Sequence, residues 1–487
     1  MNSLRQFIFA SIVLSLLACA PASLCQVSDW NQIQPPPLHT FHPQLPKRIQ
    51  LANGMVIFLQ EDHELPLIRG TAQIRGGSRD EPADKVGLTE IYGQAWRTGG
   101  TKQRTGDQLD DYLEARAAKV ETAGGLDSNR VTWDCLKENL DDVLKIFLEI
   151  LREPEFREDK IVLAKNQLNT NISRRNDDPF RIAFRESSKL VYGADSPYAR
   201  VTEYASVARV TRDDLVNWHH RFVHPNNIIL GISGDFDSGS VEAKLHQAFD
   251  SWPKGPAASR LQLSFHGPKP GIYFAEKGDV TASMVMMVDL GITRDNPDYY
   301  AIEVFNQFFG GSFNSRLFSN IRSKKGLAYA VGGGIEADYD HPGTLGLFLG
   351  TKSHTTAAAI DAFNEELDAL KTNPSTPDEL TKAKRAILNS LVFRFDSKEK
   401  VLRERMAYEF YSYPEDFLEK YRTGIEKVTQ QDVDRVAQKY VHKDKLAVLV
   451  VGKAADFDRP LSSFGPVTTL DITIPPPAGA QKENKRR

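Results

Sequence analysis

The histidines are candidate ligands for a metal ion, because neutral imidazole is the commonest metal ligand in proteins. The sequence has 11 histidines, and none lies between Glu64 and Trp218. His220 and His224 have the i, i+4 spacing that places two ligands on one face of a helix. However, His224 has a counterpart in a later repeat of its segment, His442, which lacks such a partner. The pattern therefore favours a structural role for His224 at a helix end.

Two segments elsewhere carry a more specific pattern. Residues 85–101 read Lys-Val-Gly-Leu-Thr-Glu-Ile-Tyr-Gly-Gln-Ala-Trp-Arg-Thr-Gly-Gly-Thr, and residues 315–329 read Ser-Arg-Leu-Phe-Ser-Asn-Ile-Arg-Ser-Lys-Lys-Gly-Leu-Ala-Tyr. Together they resemble segments of the insulinase-like (pitrilysin) metallopeptidases, and the resemblance covers nearly all of residues 45–470. In that family the first segment is a helix with an inverted H-x-x-E-H motif, in which two His bind zinc and the Glu is the general base.

The resemblance implies that this chain has lost the zinc site. The positions of the three motif residues hold Glu90, Gly93 and Gln94, and the position of the family's third ligand, a Glu, holds Asn171. No carboxylate occurs from 161 to 176, so a small shift in register does not restore the ligand. Zinc needs at least three good donors. We therefore expect no bound metal and no catalytic residue in this chain, with Glu90 a remnant that makes at most a polar contact with substrate.

The second segment retains its pattern. Arg322 and Tyr329 match an Arg and a Tyr that, in the family, reach across a central cavity and hold the substrate backbone. A guanidinium fork and a phenol O–H are directional donors for carbonyl oxygens. The resemblance thus assigns substrate binding to Arg322 and Tyr329. Arg316 is expected to be structural, bonding nearby carbonyls or carboxylates, and the glycines at 332–334 are expected to relax a strand near the cavity.

The family includes members split into two chains, one with the zinc motif and one with the Arg/Tyr pair. This sequence has the second pattern. The resemblance therefore implies a non-catalytic, substrate-binding subunit of an exported heteromeric zinc peptidase, with zinc and the H-x-x-E-H motif in a homologous partner and peptides as substrate. The alternative is a stand-alone pseudoenzyme that binds peptides or scaffolds an assembly of the cell envelope. A self-sufficient protease with another site is disfavoured, because His and carboxylates are absent where they are needed.

The segment 1–22 has the composition of an export signal. Arg5 precedes an apolar stretch too short to span a bilayer, and small residues follow it. Leu16-Leu17-Ala18-Cys19 also matches a lipoprotein box, so Cys19 either carries lipid or is removed by cleavage near Ala22. We expect a periplasmic or envelope-associated protein that meets the membrane only through such a lipid. The net charge of −3 argues against a nucleic-acid partner.

A duplication organises the rest of the chain. Thr211 and Thr429, His224 and His442, and Gly234 and Gly452 are all separated by the same interval along the sequence. We predict an α+β fold of two homologous halves, each an antiparallel sheet with helices on one face, enclosing a central cavity. The predicted division is a signal at 1–22, a Pro-rich arm at 23–46, halves at 47–251 and 271–470, a linker at 252–270 and a disordered tail at 471–487. Within the first half we predict strands at 55–60, 68–75 and 129–136, and helices at 84–97, 107–118 and 138–151.

Overall fold

Two six-stranded sheets form the centre of the protein. A computed structural model describes residues 43–259 and 261–477. The strands, in chain order, are β1 Lys47–Gln50, β2 Val56–Glu61, β3 Leu67–Arg75, β4 Lys119–Gly124, β5 Ser128–Leu136, β6 Ile228–Gly234, β7 Gly271–Glu276, β8 Ala282–Leu290, β9 Ile292–Thr293, β10 Ala330–Ile335, β11 Ala337–Asp338, β12 Thr344–Lys352, β13 Ala447–Gly452 and β14 Val467–Thr469.

Five of the six strands follow the same order in the two sheets, and the outer strands β1 and β14 differ. The first runs β1-β2-β6-β3-β5-β4 and the second β14-β7-β13-β8-β12-β10. This equivalence confirms the predicted α+β fold of two homologous halves. The pairs β2–β6 and β7–β13 are parallel, as is β14–β7, so each sheet is mixed rather than purely antiparallel. The strands of these parallel pairs are joined by long connections, which do not impose the antiparallel pairing of a hairpin.

The helices surround the sheets, and several begin at capping boxes, including those at the repeated residues Thr211 and Thr429. The Thr211 hydroxyl accepts from the Asp214 N–H at 3.3 Å, and the same bond forms between Thr429 and Asp432 at 3.2 Å. The helices are α1 Leu88–Thr98, α2 Gly106–Glu114, α3 Leu140–Arg152, α4 Glu158–Ser173, α5 Pro179–Tyr192, α6 Tyr204–Arg209, α7 Arg212–Phe222, α8 Ser238–Phe249, α9 Tyr299–Phe309, α10 Thr356–Thr372, α11 Pro377–Leu391, α12 Lys398–Tyr411, α13 Phe417–Lys427 and α14 Gln430–Tyr440.

One helix of each half also packs on the sheet of the other half. Most helices pack on one face of their own sheet, as predicted. On the opposite face, α5 of the first half covers the second sheet through contacts that include Ile182 and Met286. Reciprocally, α12 of the second half covers the first sheet, where Met406 packs near Phe58. The exchange places helices on both faces of each sheet and removes apolar strand surface from water.

Polar contacts reinforce this association of the halves. The buried Arg79 guanidinium forms an ion pair with Asp340. The Tyr192 hydroxyl, at the end of α5, donates to the Pro342 carbonyl at 2.9 Å. Both contacts involve the loop between β11 and β12, so this loop is fixed against the first half.

The connecting and terminal segments lie on the surface of the two halves. In the predicted linker, the Pro256 carbonyl accepts from the Asn227 amide at 3.0 Å. The predicted disordered tail begins too early, because the Asn176 amide donates to Ile472 O at 2.6 Å and Ile474 packs against the first core. The predicted export signal, Cys19, the arm up to 42 and the tail from 478 lie outside the described residues. Among the residues described, no helix is long and apolar enough to cross a membrane.

Candidate functional site

Position 93, where the family has its general base, is closed by backbone packing. A Cβ atom on Gly93 would lie 2.2 Å from the Gly124 nitrogen and 2.8 Å from the Ala123 carbonyl carbon. Likewise, a Cβ atom on Gly124 would lie 2.2 Å from the Thr89 carbonyl oxygen. Helix α1 and strand β4 therefore touch through their main chains, an approach that only glycine permits. A glutamate at position 93 does not fit without displacing the strand.

A threonine of β4 also forms hydrogen bonds with the main chain of the helix. The Thr122 hydroxyl donates to the Gly93 carbonyl at 2.6 Å and accepts from the Arg97 N–H at 3.1 Å. In a regular helix these two backbone groups, four residues apart, pair with each other. The Thr122 hydroxyl bonds both of these groups, so a side chain of β4 lies against the main chain of the helix. Helix α1 is thus tied to β4 at the residue where the base would stand.

The other positions that the resemblance assigns to a zinc site hold poor ligands. Glu90 reaches solvent, and partial burial of its carboxyl group, with the charge of Glu81, raises its pKa. Gln94 follows on the same helix, and Asn171 lies on α4, which packs against α1. The Asn171 side-chain oxygen accepts from Gln167 at 3.4 Å. One carboxylate and two neutral amides do not fit zinc, which prefers thiolate, imidazole and carboxylate donors. Within the described ranges, no three or more His, Cys, Asp or Glu side chains are grouped to hold a metal ion.

His219 and His224 pack against other residues of the protein. Helix α7 ends at Phe222, so His224 lies beyond it and does not form a helical i, i+4 pair with His220. The His224 ring packs against Gly255, where a Cβ would lie 2.1 Å from the ring. His219 is buried, with its Nδ1 2.9 Å from the Tyr92 hydroxyl oxygen, and burial lowers its pKa to about 3.

Arg322 and Tyr329 line the same cavity, whose volume is about 890 Å³. Arg322 lies on a π-helical turn, with its guanidinium carbon 4.7 Å from the centre of the Phe318 ring. Tyr329 immediately precedes β10, and its N–H donates to the Gly350 carbonyl at 3.0 Å. The ring of Tyr329 lies over Gly350, and a Cβ atom on Gly350 would lie 2.4 Å from Cζ of Tyr329. The structure thus brings together the two side chains that the sequence assigns to substrate binding.

Both side chains are available to a ligand. Arg322 is exposed and Tyr329 is 51% exposed. Partial burial and the charge of Asp178 raise the pKa of Tyr329, so its hydroxyl keeps its proton at neutral pH. The Tyr329 hydroxyl donates to the Met284 sulfur at 3.8 Å, and a thioether is a weak acceptor. A carbonyl oxygen is a stronger acceptor, so the phenol and the guanidinium can both donate hydrogen bonds to carbonyl oxygens of an extended chain.

Arg316 has the structural role predicted for it. Its guanidinium donates to both carboxylate oxygens of Glu379, at 2.7 and 2.8 Å, and to the carbonyls of Asn373 and Pro374. These bonds tie the segment that leads to Arg322 to the start of α11. Arg316 therefore positions this segment and has few donors left for a ligand.

Other residues of the cavity could not be found from sequence. Phe184 comes from α5 of the first half, Phe348 from β12 and Asn306 from α9. None has a motif around it, and their meeting depends on the exchange of α5 between the halves. By contrast, the glycines at 332–334 line the cavity from β10, next to the segment that the sequence singles out.

Comparisons with known proteins agree with this architecture. Residues 59–193 match the family model "Insulinase (Peptidase family M16)", and residues 209–387 match the model "Peptidase M16 inactive domain". The chain belongs to the insulinase family of peptidases. Its second matched region corresponds to the domain of that family described as inactive.

Relatives and solved structures extend the match across most of the chain. The chain is 22% identical over 409 residues to the "uncharacterized zinc protease YmxG" of Bacillus subtilis, covering 83% of this chain and 98% of that protein. It is 22% identical over 410 residues to the "non-peptidase homolog YmxG" of Helicobacter pylori, covering 83% and 93%. A "peptidase M16 inactive domain" from Pseudomonas fluorescens has a TM-score of 0.74 and 25% identity over 84% of this chain and 98% of that one.

Proposed function

We propose that this chain is the non-catalytic, substrate-binding subunit of an exported heteromeric zinc peptidase. One contrast carries the proposal: Arg322 and Tyr329 open onto a cavity, whereas the position of the general base is occupied by the backbone of β4. The chain offers donors for a peptide backbone without a group that activates water. The name "probable inactive metalloprotease YmfF", given to a Bacillus subtilis relative 24% identical over 299 residues, agrees with this.

In this proposal an extended peptide adds to the edge of the second sheet. Strand β10 is the edge strand beside the cavity and directly follows Tyr329. Main-chain pairing along a sheet edge gives affinity for extended peptides of varied sequence. Arg322 and Tyr329 then donate to peptide carbonyls at the start of that strand.

The hydrolytic site is supplied by the partner in this proposal. A homologous chain with an intact H-x-x-E-H motif would hold zinc and the general base, which polarise and activate water. Glu90, Gln94 and Asn171 do not complete such a site and take no part in the hydrolysis. The contribution of this chain is binding and orientation of the peptide.

Peptide hydrolysis by the purified chain with added zinc, measured in the presence and absence of the partner, tests the proposal. The substrate is a set of unstructured fluorogenic peptides, and the partner is the H-x-x-E-H homologue that copurifies from the native source. We expect no turnover by this chain alone and chelator-sensitive turnover by the pair, reduced roughly tenfold by Arg322→Ala in this chain. Chelator-sensitive turnover by the pure chain would overturn the proposal.

The native size of the complex separates this function from a stand-alone role. The Helicobacter pylori relative named a non-peptidase homolog is the observation that favours a pseudoenzyme or envelope scaffold. A homodimer, or a complex with an unrelated protein, supports that alternative. A complex containing a chain with an intact H-x-x-E-H motif supports the peptidase subunit.

A further inference from the structure

We propose that a polar cavity between α9, α11 and α13 binds a free amino acid, whose ammonium group pairs with Glu303 and whose carboxylate pairs with Arg394. This site goes beyond the proposed function and does not depend on it. Three observations carry the inference: a largely buried carboxylate without an ion pair in the described chain, a guanidinium with donors to spare, and a cavity that fits only a small molecule.

The cavity lies where three helices and one turn meet. Glu303 comes from α9, Ser390 from α11 and Tyr421 from α13, and Arg394 lies on the turn that follows α11. The volume of the cavity is about 230 Å³. This volume is below the range of about 300–1,000 Å³ that is typical of sites for drug-sized ligands. The occupant is therefore a smaller molecule, of the size of a single amino acid.

The largely buried Glu303 supplies the negative charge of the cavity. The Tyr421 hydroxyl donates to its Oε2 at 2.8 Å, and in the described chain no other hydrogen bond and no ion pair reaches the carboxylate. Burial raises the pKa of Glu303, whereas the Tyr421 bond and the charges of Arg294 and Arg394 lower it. Buried charges in proteins are usually paired. The Oε1 atom is therefore an acceptor for the cationic group of a ligand.

Arg394 supplies the positive charge of the cavity. Its Nε and Nη2 atoms donate to Glu404, at 3.4 and 2.8 Å, and within the described residues no hydrogen bond uses its Nη1. A guanidinium has five N–H donors in a planar fork, which suits a carboxylate. Although Arg394 and Glu303 line the same cavity, their charged groups are too far apart for an ion pair. A molecule that carries both an ammonium and a carboxylate group can bridge them.

The rest of the lining favours an amino acid with an apolar side chain. Ile387 is buried and Leu391 is half-buried, and both line the cavity from α11. The Ser390 hydroxyl donates to the Ile387 carbonyl at 2.9 Å and keeps its lone pairs for an ammonium group. Ser390 and Gly311 are exposed at the edge of the cavity, so a small molecule can enter from solvent.

Asn306 lies between this cavity and the peptide cavity and lines both. Its side-chain amide donates to the Ile335 carbonyl and accepts from the Ile335 N–H, both at 2.8 Å. These bonds direct the Asn306 amide to β10. Glu303 and Arg394 line this cavity and not the peptide cavity. The two cavities therefore have different charged groups and can be tested separately.

Isothermal titration calorimetry of the full chain with L-leucine tests the inference. The analogues isoamylamine and 4-methylpentanoate keep the apolar group but lack the carboxylate and the ammonium group, respectively. We expect leucine to bind at least roughly tenfold more tightly than either analogue, because each analogue loses one charge-assisted contact. No binding of leucine at millimolar concentration, or equal affinities for leucine and one analogue, would overturn the inference.

The substitution Glu303→Gln tests the assigned carboxylate. Glutamine keeps the size of the side chain and an acceptor for the Tyr421 hydroxyl but removes the charge. We expect leucine binding to weaken at least roughly tenfold. The melting temperature should be unchanged or higher, because an unpaired buried charge costs free energy. Glu114→Gln is the matched control, because Glu114 is exposed on α2 of the first half and should leave leucine affinity unchanged.

A variant that blocks the entrance gives an independent test. Ser390→Phe places a ring at the exposed edge of the cavity, and we expect it to abolish leucine binding. Asn389→Phe is its control, because Asn389 is the neighbouring exposed residue of α11 and does not line the cavity. Retention of leucine binding by a folded Glu303→Gln or Ser390→Phe chain would contradict the inference.

Discussion

At the scale of single residues, replacing Gly93 by alanine should change stability in the direction opposite to that expected from helix propensity. Replacing a helical glycine by alanine normally stabilises a protein by about 1 kcal/mol. Here the new methyl group would meet the backbone of Ala123 and Gly124 at 2.2–2.8 Å. Backbone cannot turn aside as a flexible side chain can, so helix and strand must separate.

We therefore expect Gly93→Ala to destabilise the protein, by about 3 kcal/mol, as measured by urea denaturation. Gly239→Ala is the control, and it should leave the free energy of unfolding unchanged or slightly raised. Gly93→Glu, which restores the family's base, should be less stable still and should hydrolyse no peptide. An unchanged midpoint for Gly93→Ala would show that α1 and β4 are not packed through their backbones.

Arg322 and Arg316 lie six residues apart and should respond differently to removal. Arg322 is exposed, so Arg322→Ala should weaken peptide binding roughly tenfold with no change in melting temperature. Arg316→Ala removes four hydrogen bonds, two of them to Glu379, and should lower the melting temperature. Tyr329→Phe, which removes only the hydroxyl, should resemble Arg322→Ala. Calorimetry and peptide titration of all three variants check this; loss of stability in Arg322→Ala would make Arg322 a structural residue.

At the scale of elements, the exchange of α5 and α12 makes each sheet depend on the other half of the chain. Met406 of α12 is buried, and its sulfur lies where a side chain at Gly231 of β6 would stand. Met406→Ala leaves a cavity there and should cost about 3 kcal/mol. Because both halves share this contact, we expect the variant to unfold in one cooperative transition at a lower denaturant concentration than the native chain. Fluorescence and circular dichroism would measure this transition. Two separate transitions would show that the halves fold independently.

Much of this layout could be predicted from sequence, because it depends on local signals. The constant interval between the repeated residues indicates two homologous halves, and most predicted element ends lie within a few residues of those observed. The exchanged helices could not be predicted. An amphipathic pattern shows that α5 has an apolar face, but not which of two similar sheets covers it.

The candidate site, like the fold, could be predicted from sequence only in part. Arg322 and Tyr329 stand in a dense local motif, and the structure brings them to one cavity. The bonds between Asn306 and Ile335, and those between Thr122 and the main chain of α1, join distant segments, and neither set has a sequence signal. The closure of position 93 likewise depends on Gly124, which has no motif around it in the sequence.

At the scale of the whole molecule, buried His219 makes stability depend on pH. Its pKa is lowered to about 3 by burial, whereas an unfolded histidine titrates near about 6.5. Between these values the unfolded chain binds the extra proton, so stability falls as pH decreases from about 6.5 towards 3.

We expect this residue to contribute a slope of up to about 1.4 kcal/mol per pH unit in that window. His219→Phe should reduce the slope of unfolding free energy against pH, measured by urea denaturation from pH 7 to 4. Asn217→Gln is the matched control, because Asn217 is exposed on the same helix and has no titratable group. Equal slopes for the native chain and His219→Phe would exclude His219 as a source of acid sensitivity.

The contact between Gly93 and Gly124 has a consequence for how this protein can evolve. Regaining catalysis would require two histidines, an acidic third ligand and a base, and the base position is accessible only after β4 has moved. The step at position 93 should itself lose stability, because a side chain there meets the backbone of β4. Under the proposed function, the departure from hydrolysis is therefore difficult to reverse, and selection acts on what the chain holds.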